Sequence, residues 1–420
     1  MKFPAPANNN YAAVIVRIPA ILTLENSDNL IGIPLPGAQA VTQKGWEEGD
    51  LVVMFPTESQ LSDEYTRENN LYRDSDRNAD KTEAGYFETN RRVKAIKLRG
   101  HRSDALVMPL SSLDYTGVNI GQLNEGDTFD RIGDHEICRK YELPVKAQPG
   151  DGRQAKITKK FKRVDAKFLP EHISTDNYWH HSHHIPADAD LIVTQKLHGT
   201  SVRVGNTIVR HKPRLRDKIA RFFGVRVEAQ GYDNVYGSRK VIKDPNADQN
   251  HFYGEDIWTV EGAKLEGLVP KGFVVYGELV GFTSNGAAIQ KNYTYDAAPN
   301  EAKLYVYRVA YVNPEGMVTD LSWDQVVEFC RNRGLKTVPE LWRGKHEDFD
   351  ANGWMDDVYA NYFDHAVPLS HKKTVDEGVC VRVEGLLPRI YKAKSAAFLR
   401  HETKLLDEGE VDLESAGSVE

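Results

Sequence analysis

The sequence predicts an α+β fold in two domains, an all-β N-terminal domain and a mixed C-terminal domain. Short apolar, β-branched runs bounded by turn residues recur along the chain, which is typical of strands. Helical spacing is rarer and is clearest at residues 321–333, where Ser322 is the predicted N-cap and Gly334 the stop. With 420 residues, the chain is long enough to build two cores.

Bulk composition excludes some classes of protein. The net charge is −7 and the sequence pI is about 6.1, so any affinity for nucleic acid has to come from local basic patches. No leader pattern or membrane-spanning run is present, and we expect a cytoplasmic protein. Cys138, Cys330 and Cys380 fit neither a zinc spacing nor a disulfide framework, so we expect small core residues.

The N-terminal part begins with a Pro/Asn-rich arm at residues 1–10 and continues as successive strands. Residues 66–89 interrupt these strands with many charges and almost no aliphatic side chains, which predicts an exposed loop, with a partly helical segment as the alternative. A Pro/Gly-rich turn and a lysine-rich run follow within residues 145–168. This run predicts either a path for RNA or a solvated face. Histidines 180, 181, 183 and 184 predict a polar loop rather than a metal site, because no cysteine pair or carboxylate stands at ligand spacing.

The central stretch of the chain is residues 194–201, TQKLHGTS. An apolar strand at residues 191–193 leads into it and delivers Lys196 to a turn, where Gly199 allows close backbone approach to a ligand. A second strand follows and is predicted to end at the turn Gly205-Asn206. Such a lysine can attack phosphorus if nearby cations and a metal keep it deprotonated. Alone, the K-x-x-G pattern favours a lysine in a surface hairpin, and only the further stretches below overturn that interpretation.

Three further strands, each with an ionisable residue, follow the lysine in order: residues 274–281 (VVYGELVG), 376–381 (DEGVCV) and 390–395 (IYKAKS). Together the four stretches resemble the motif set of the covalent nucleotidyltransferases, which include ATP-dependent ligases and mRNA capping enzymes. The form KLHGTS followed by YGELVG is similar to the RNA ligases, and most of all to the RNA-ligase family that has an OB domain before its catalytic domain. Residues 170–175 and 289–295 agree with this resemblance.

The resemblance implies a nucleotidyltransferase fold with ATP-grasp-like antiparallel sheets and flanking helices, preceded by an OB-like barrel. The implied divisions are an OB-like domain at residues 1–150, a basic linker at 151–168, an adenylyltransferase domain at 169–405 and an acidic tail at 406–420. The implied activity is that of an ATP-dependent RNA ligase, which joins 3′-OH and 5′-phosphate RNA ends through lysyl-AMP and an RNA-adenylate. The implied cofactors are ATP and Mg²⁺ or Mn²⁺. We expect a monomer whose substrate is RNA, and a nicked duplex is one form that this substrate can take.

Catalytic roles follow from the same resemblance. Lys196 is the implied nucleophile, and because an ordinary lysine has a pKa of about 10.4, its site has to favour the neutral amine. Lys392 and Lys394 are two residues apart on one strand, so they share a face and can hold the α-phosphate. Glu278 and Glu377 are the expected metal ligands, since Mg²⁺ binds through few carboxylates together with phosphate oxygens.

The resemblance also implies a set of nucleotide-binding residues and a set of RNA-binding residues. Tyr307 corresponds to the family's adenine-stacking aromatic residue, with Tyr305 as the fallback and a core tyrosine as the alternative. The nucleotide-binding set is Gln195, Leu197, His198, Gly199, Arg239, Glu278, Tyr307, Lys392 and Lys394. The most basic stretch of the chain, residues 210–223, predicts contacts with RNA. The alternative is a surface helix whose lysine and arginine side chains extend into solvent. The RNA-binding set is Arg203, Arg210, Lys212, Arg214 and Arg216.

Two positions depart from related patterns. DNA ligases and capping enzymes usually carry aspartate two residues after the lysine, where this chain has His198. RNA ligases usually carry glutamate immediately before the lysine, where this chain has Gln195. The alternatives to an RNA ligase are therefore a DNA ligase or capping-type guanylyltransferase, and an RNA-binding protein with a degenerate catalytic core.

Overall fold

The computed structural model describes residues 3–143, 162–212, 222–223, 230–243, 255–351, 367–369 and 374–409. Several predictions fall outside these ranges. They concern most of the basic linker, the RNA contacts of Arg214 and Arg216, and the end of the acidic tail.

The N-terminal part consists mainly of short antiparallel strands. Four of them form a sheet in the order β10-β1-β5-β9, and β2, β3 and β4 form a three-stranded sheet. The strands are β1 (Ala13–Arg17), β2 (Leu22–Thr23), β3 (Leu30–Leu35), β4 (Ala38–Gln43), β5 (Leu51–Pro56), β6 (Ser59–Leu61), β7 (Ile96–Leu98), β8 (His101–Ser103), β9 (Ala105–Pro109), β10 (Thr128–Phe129), β11 (Arg131–Ile132), β12 (His135–Glu136) and β13 (Cys138–Lys140).

The four-stranded sheet is buried on both faces. Along β1, Val14 and Val16 pack into one apolar cluster, while Ala13 and Ile15 pack into another on the opposite face. This alternation explains why the strand reads as a continuous apolar run. Within the described residues, the N-terminal strands fall into separate sheets and do not close into one barrel, so the OB-like barrel is not confirmed.

The charged insertion at residues 66–89 is mostly exposed and partly helical, as predicted, but a few of its side chains are buried. It begins in helix α1 (Asp63–Glu68), which Ser62 caps, and it continues through a short 3-10 turn, Ser75–Arg77. Leu71, Tyr72 and Phe87 are buried. These few apolar side chains are enough to anchor the insertion, because two of the three are aromatic rings that each bury a large area.

The C-terminal part combines long strands with short helices. Its strands are β14 (Asp176–Asn177), β15 (Asp190–Lys196), β16 (Thr200–Arg210), β17 (Gln230–Gly237), β18 (Phe273–Gly281), β19 (Ala302–Val312), β20 (Val318–Asp320), β21 (Lys336–Thr337), β22 (Glu340–Lys345), β23 (Gly378–Val383) and β24 (Arg389–Lys394). Its helices are α2 (Tyr178–His181), α3 (Ile257–Ala263), α4 (Trp323–Arg331) and α5 (Ala396–Asp407).

These strands form two sheets. One has the order β14-β24-β23-β15-β22, and the other has the order β17-β16-β18-β19-β20, with β21 paired to β19. All pairings are antiparallel except β14 with β24 and β19 with β21. The prediction of an α+β fold with antiparallel sheets is therefore confirmed for this part. The domain limits stay a prediction.

Helix α4 confirms the pattern that predicted it. Ser322 caps its N-terminus in a capping box with Gln325, and Gly334 adopts φ +67° beyond its end. Val326 and Phe329 face the main core of the C-terminal part. Among the described residues, no helix has the length and apolar character that crossing a membrane requires.

The predicted turn at Gly205-Asn206 is wrong. Strand β16 continues through both residues to Arg210. A Cβ atom at Gly205 would lie 2.8 Å from Leu169 Cδ1, so the glycine makes room for a packed leucine rather than for a turn.

The last helix joins the two parts of the chain. Helix α5 begins directly after β24 and packs against the N-terminal part through Thr403, whose carbonyl accepts a 2.7 Å hydrogen bond from Arg92. Arg92 also forms an ion pair with Glu58, with 2.6 Å between Nε and Oε2, and both side chains are buried. The Thr403 hydroxyl donates to the same carboxylate at 2.7 Å. A buried polar network therefore holds α5 to the N-terminal part.

Candidate active site

A cavity of about 500 Å³ lies where the two sheets of the C-terminal part meet the start of the chain. It brings together most of the residues predicted for catalysis and nucleotide binding. The predicted residues that line it are Gln195, Lys196, Leu197, Arg239, Glu278, Tyr307, Glu377, Lys392 and Lys394. His198 and Gly199 do not line it.

Strand register places the nucleophile beside the other catalytic candidates. Strands β15, β23 and β24 are neighbours, with Lys196 opposite Gly378 and Gly378 opposite Lys394. Gly378 has φ +144°, and a Cβ atom there would overlap the carbonyl oxygen of Ala393. The glycine at the start of β23 therefore allows the close approach of β24.

Lys196 and Glu377 form an ion pair at the centre of the cavity. Lys196 Nζ lies 2.8 Å from Glu377 Oε1, and the two side chains are 13% and 3% exposed. Burial by itself raises the pKa of the Glu377 carboxyl, but the positive charge of Lys196 and contacts with His198 and Lys394 outweigh it. They hold that pKa well below its usual value. Glu377 is therefore an anion that faces the predicted nucleophile.

The structure gives His198 a different role from the predicted nucleotide contact. Its ring is buried, its Nδ1 lies 3.3 Å from Glu377 Oε2, and it packs on Tyr293 with 4.6 Å between ring centroids. Its backbone N–H donates a 2.7 Å hydrogen bond to the Tyr295 hydroxyl. His198 thus supports the carboxylate rather than facing the cavity, because the turn after Lys196 directs it toward the core.

Glu278 is fixed by the same turn. Its carboxylate accepts hydrogen bonds from the backbone N–H of Gly199 at 3.1 Å and from the Ser201 hydroxyl at 3.2 Å. A Cβ atom at Gly199 would overlap the carbonyl oxygen of Leu279. The close backbone approach that Gly199 permits is therefore to strand β18, whereas the sequence predicted an approach to a ligand.

Lys392 and Lys394 both line the cavity, as their spacing predicts. Lys394 Nζ donates to both carboxylate oxygens of Glu402, at 2.7 and 2.9 Å. Burial by itself lowers the pKa of Lys394, but Glu402 and the nearby Tyr11 and Glu377 raise it well above its usual value. Lys394 is therefore a permanent cation.

Tyr307 lines the cavity, and its hydroxyl forms a 2.7 Å hydrogen bond with His172 Nδ1. Burial is the main reason why the pKa of His172 lies well below its usual value, and the charges of Arg203 and two other arginines lower it further. The ring of His172 therefore stays neutral. Tyr305, the fallback for adenine stacking, is buried in the main core and does not line the cavity. The hydrogen bond fixes the ring of Tyr307 at the cavity wall.

The sequence missed several residues that line the cavity. The arm and the first 3-10 turn of the chain, residues 6–11, form part of its wall, together with Lys140 from β13. The arm is attached rather than loose, because Asn10 Nδ2 donates to the Thr175 carbonyl at 3.4 Å. Other missed lining residues are Thr194, Ser201, Arg308, Trp323, Val338, Cys380 and Arg382. Thr194 is two residues from Lys196, and Cys380 and Arg382 are two and four residues from Gly378. The alternation of side chains along a strand could therefore have predicted that these three residues line the cavity.

The cavity is electropositive although the chain is acidic. Its lining carries eight Lys or Arg side chains and four Asp or Glu side chains, whereas the whole chain has a net charge of −7. A site of this kind attracts an anion into a confined space, where charges interact more strongly than in water.

The prediction that Arg203 binds RNA is wrong. Arg203 is 1% exposed, and its Nη1 donates a 2.8 Å hydrogen bond to the Leu169 carbonyl. This guanidinium is buried and donates to a carbonyl remote in sequence, so the basic pattern around it did not mean a basic surface. Arg210 and Lys212 are exposed, at the end of β16 and just beyond it. Their contact with RNA stays a prediction.

The acidic side chains of the cavity limit the kind of metal site that it offers. Among the described residues, no group of three or more His, Cys, Asp or Glu side chains is arranged to hold a metal ion. The two carboxylates in the cavity interior, Glu278 and Glu377, suit a divalent cation that keeps several waters and shares phosphate oxygens with a nucleotide. They do not form a complete protein cage.

Comparison with known proteins finds a family model that matches most of the C-terminal part. Residues 189–394 match the family model described as RNA ligase. This segment runs from just before β15 to Lys394 and contains the lysines and glutamates of the four motif stretches, namely Lys196, Glu278, Glu377, Lys392 and Lys394. No curated protein matches the sequence at a significant level.

Solved structures of an RNA ligase from Naegleria gruberi are similar to nearly the whole chain. The complex of that ligase with pyrophosphate has a TM-score of 0.56 and 16% identity, and the match covers 93% of this chain and 98% of that one. A lysine-to-alanine variant with ATP and manganese has a TM-score of 0.54 and 15% identity, with coverage of 94% and 99%. An apo variant has a TM-score of 0.56 and 16% identity, with coverage of 94% and 99%. At this identity the likeness concerns the fold.

Proposed function

We propose that the chain joins RNA 3′-OH and 5′-phosphate ends in an ATP-dependent reaction through a covalent lysyl-AMP intermediate, because residues 189–394 match the RNA ligase family model. The supporting observation is the Lys196–Glu377 pair, with 2.8 Å between its charged atoms, inside an electropositive cavity. The related Naegleria gruberi ligase was solved with ATP and manganese, which supports the same nucleotide and a divalent cation here.

The proposed reaction has three phosphoryl-transfer steps. The neutral Lys196 amine attacks the α-phosphorus of ATP, a P–N bond forms, pyrophosphate leaves, and the amine loses one proton. The 5′-phosphate of an RNA end then displaces the lysine and takes the AMP. Finally, a 3′-hydroxyl attacks that 5′-phosphate, AMP leaves, and a phosphodiester forms. Steps of this kind depend mainly on positioning and charge neutralisation.

The side chains around Lys196 supply both the positioning and the charge neutralisation that these steps require. Lys392 and Lys394 stand on the strand next to β23 and face the α-phosphate position, and the pair with Glu402 keeps Lys394 charged. Glu377 orients the Lys196 amine before nucleotide arrives, but its carboxylate also favours the protonated amine. Its anion must therefore be drawn to another cation before Lys196 can react.

A divalent cation is the natural candidate for the positive charge that draws Glu377 away from Lys196. Glu278 and Glu377 would hold it, and when bound it would neutralise phosphate charge and lower the pKa of the attacking amine. Tyr307 offers the adenine a rigid aromatic face, since the bond to His172 fixes its ring. Arg239 also lines the cavity and offers a charge for phosphate.

Labelling the protein with α-³²P-ATP, and separately with α-³²P-GTP, tests the proposal on denaturing gels. We expect a labelled band from ATP alone. Label from GTP would favour a capping-type enzyme, and no label from either nucleotide would favour a binding protein with a degenerate core. Lys196→Ala should abolish the band. Lys264→Ala is the matched control, because Lys264 is an exposed residue outside the cavity that pairs with Glu261.

Ligation assays would then define the substrate. A panel of nicked duplexes with RNA or DNA on each side of the nick, together with single-stranded RNA, separates an RNA ligase from a DNA ligase. We expect joining only where RNA is present at the nick. Efficient joining of all-DNA nicks would contradict the proposed substrate class.

A further inference from the structure

Gln195, the residue before the nucleophile, has its side-chain amide fully engaged inside the protein. Its Nε2 donates to Asp376 Oδ2 at 2.9 Å and to the Val367 carbonyl at 3.2 Å. Its Oε1 accepts from the Val367 N–H at 2.8 Å. The residue is 1% exposed. Both amide hydrogens are therefore used, and none is left for a nucleotide.

The partners of Gln195 explain what this arrangement fixes. Asp376 directly precedes Glu377, and Gln195 directly precedes Lys196, so two consecutive residues of one strand contact two consecutive residues of the other segment. The Asp376 carbonyl also accepts a 2.9 Å hydrogen bond from Ser395, which follows the last catalytic lysine. The segment that carries Glu377 is thus held on both sides.

Resting on the proposed function, we infer that Gln195 is a positioning residue that sets Glu377 against Lys196 through Asp376 and Val367. An amide is required at this position, because a carboxylate would lack both N–H donors. It would also face the Asp376 carboxylate at hydrogen-bond distance in a buried place, where like charges repel strongly. The glutamine is therefore matched to Asp376, and the departure from the usual glutamate is part of a working site rather than a sign of a degenerate one.

A charge-swap experiment tests this inference. Gln195→Glu should reduce lysyl-AMP formation by roughly 100-fold, whereas Asp376→Asn, which keeps an acceptor for the amide, should reduce it by less than about 5-fold. The double variant places an amide opposite the introduced carboxylate and should recover at least about 10-fold over Gln195→Glu. No recovery, or a double variant worse than either single one, would overturn the inference.

A second variant separates positioning from direct nucleotide binding. Gln195→Leu keeps the approximate volume and adds no charge. A positioning role predicts that the rate of adenylylation at saturating ATP falls by about 10-fold or more while the KM for ATP changes by less than about 3-fold. A rise in KM with an unchanged maximal rate would instead assign Gln195 to the nucleotide and reject the inference.

Loss of folding is controlled by a matched substitution in the N-terminal part. Gln39 is a part-buried glutamine whose Nε2 donates to the Arg102 carbonyl at 2.9 Å and whose backbone N–H donates to Asp104. Gln39→Glu should lower the melting temperature but leave the labelling of folded protein unchanged. Labelling by the wild-type protein tests the proposed function, so a labelled wild type with an equally labelled Gln195→Glu variant rejects only the inference about Gln195.

Discussion

The buried ion pair beneath helix α5 leads to a quantitative prediction for Arg92→Met. The side chains of Arg92 and Glu58 are 1% and 4% exposed, with 2.6 Å between Nε and Oε2. The substitution leaves the Glu58 carboxylate buried without its paired cation. Removing one partner of a buried ion pair costs about 3–5 kcal/mol in the free energy of unfolding, because the remaining charge stays desolvated. We expect a loss of that size.

The same pair allows a double-mutant cycle. Glu58→Gln in the Arg92→Met background removes the uncompensated charge, so the double variant should be more stable than Arg92→Met alone. Arg92 also donates to the Thr403 carbonyl in α5, so amide hydrogen exchange in Ala396–Asp407 should accelerate in Arg92→Met.

Urea unfolding followed by tryptophan fluorescence gives the free energy of each variant. Arg17→Met is the matched control, because the Arg17–Glu125 pair has a similar distance of 3.1 Å but side chains that are 50% and 57% exposed. An exposed pair of this kind contributes about 1 kcal/mol or less. If Arg92→Met were no less stable than Arg17→Met, and α5 exchanged as in the wild type, the network would not hold the helix.

Three further predictions concern the catalytic part. Glu377→Gln should lower the rate of lysyl-AMP formation by roughly 100-fold, measured by gel labelling, because it removes the charge that orients the nucleophile and holds a cation. Burial lowers the pKa of His180 to about 4, so below pH 6.5 the unfolded state binds more protons and stability should fall down to pH 4. His180→Gln should flatten that dependence in melting curves, and an unchanged slope would exclude His180 as its source. Gly378→Ala should cost about 1–3 kcal/mol in thermal unfolding, since φ is +144° and a Cβ atom would overlap the Ala393 carbonyl, whereas Gly385→Ala, in open space, should be neutral.

Much of the catalytic part was predictable because its signals are local. The order of the motif strands and the one-residue alternation along each strand place Lys392 and Lys394 on one face, and the structure agrees. The cap at Ser322 and the stop at Gly334 predicted helix α4 within two residues at each end. The cap and the alternation depend only on neighbours in sequence, whereas the order of the motif strands was interpreted through the resemblance to the covalent nucleotidyltransferases.

The errors have a common physical origin in contacts between remote segments. Arg203 is buried and donates to a carbonyl more than 30 residues away, and Gly205 is small because a distant leucine packs against it. His198 turns toward Glu377, a partner that directly precedes β23 and is remote in sequence. The arm at residues 6–11 joins the cavity wall, although its own composition is that of a free end. None of these partners is visible in a local pattern.

The position of the nucleophile between distant segments has a consequence for protein synthesis. Lys196 pairs with Glu377, which directly precedes the neighbouring strand β23, and Lys394 lies on the strand after it, although the two lysines are about 200 residues apart in the chain. During translation, the amine therefore emerges from the ribosome long before the groups that would make it reactive. An incomplete polypeptide that ends before β24 carries the lysine but lacks Lys392 and Lys394, the two cations that are proposed to hold phosphate. The enzyme should therefore acquire its first nucleotide only after the C-terminal hairpin is in place, which a time course of labelling during cell-free translation would reveal.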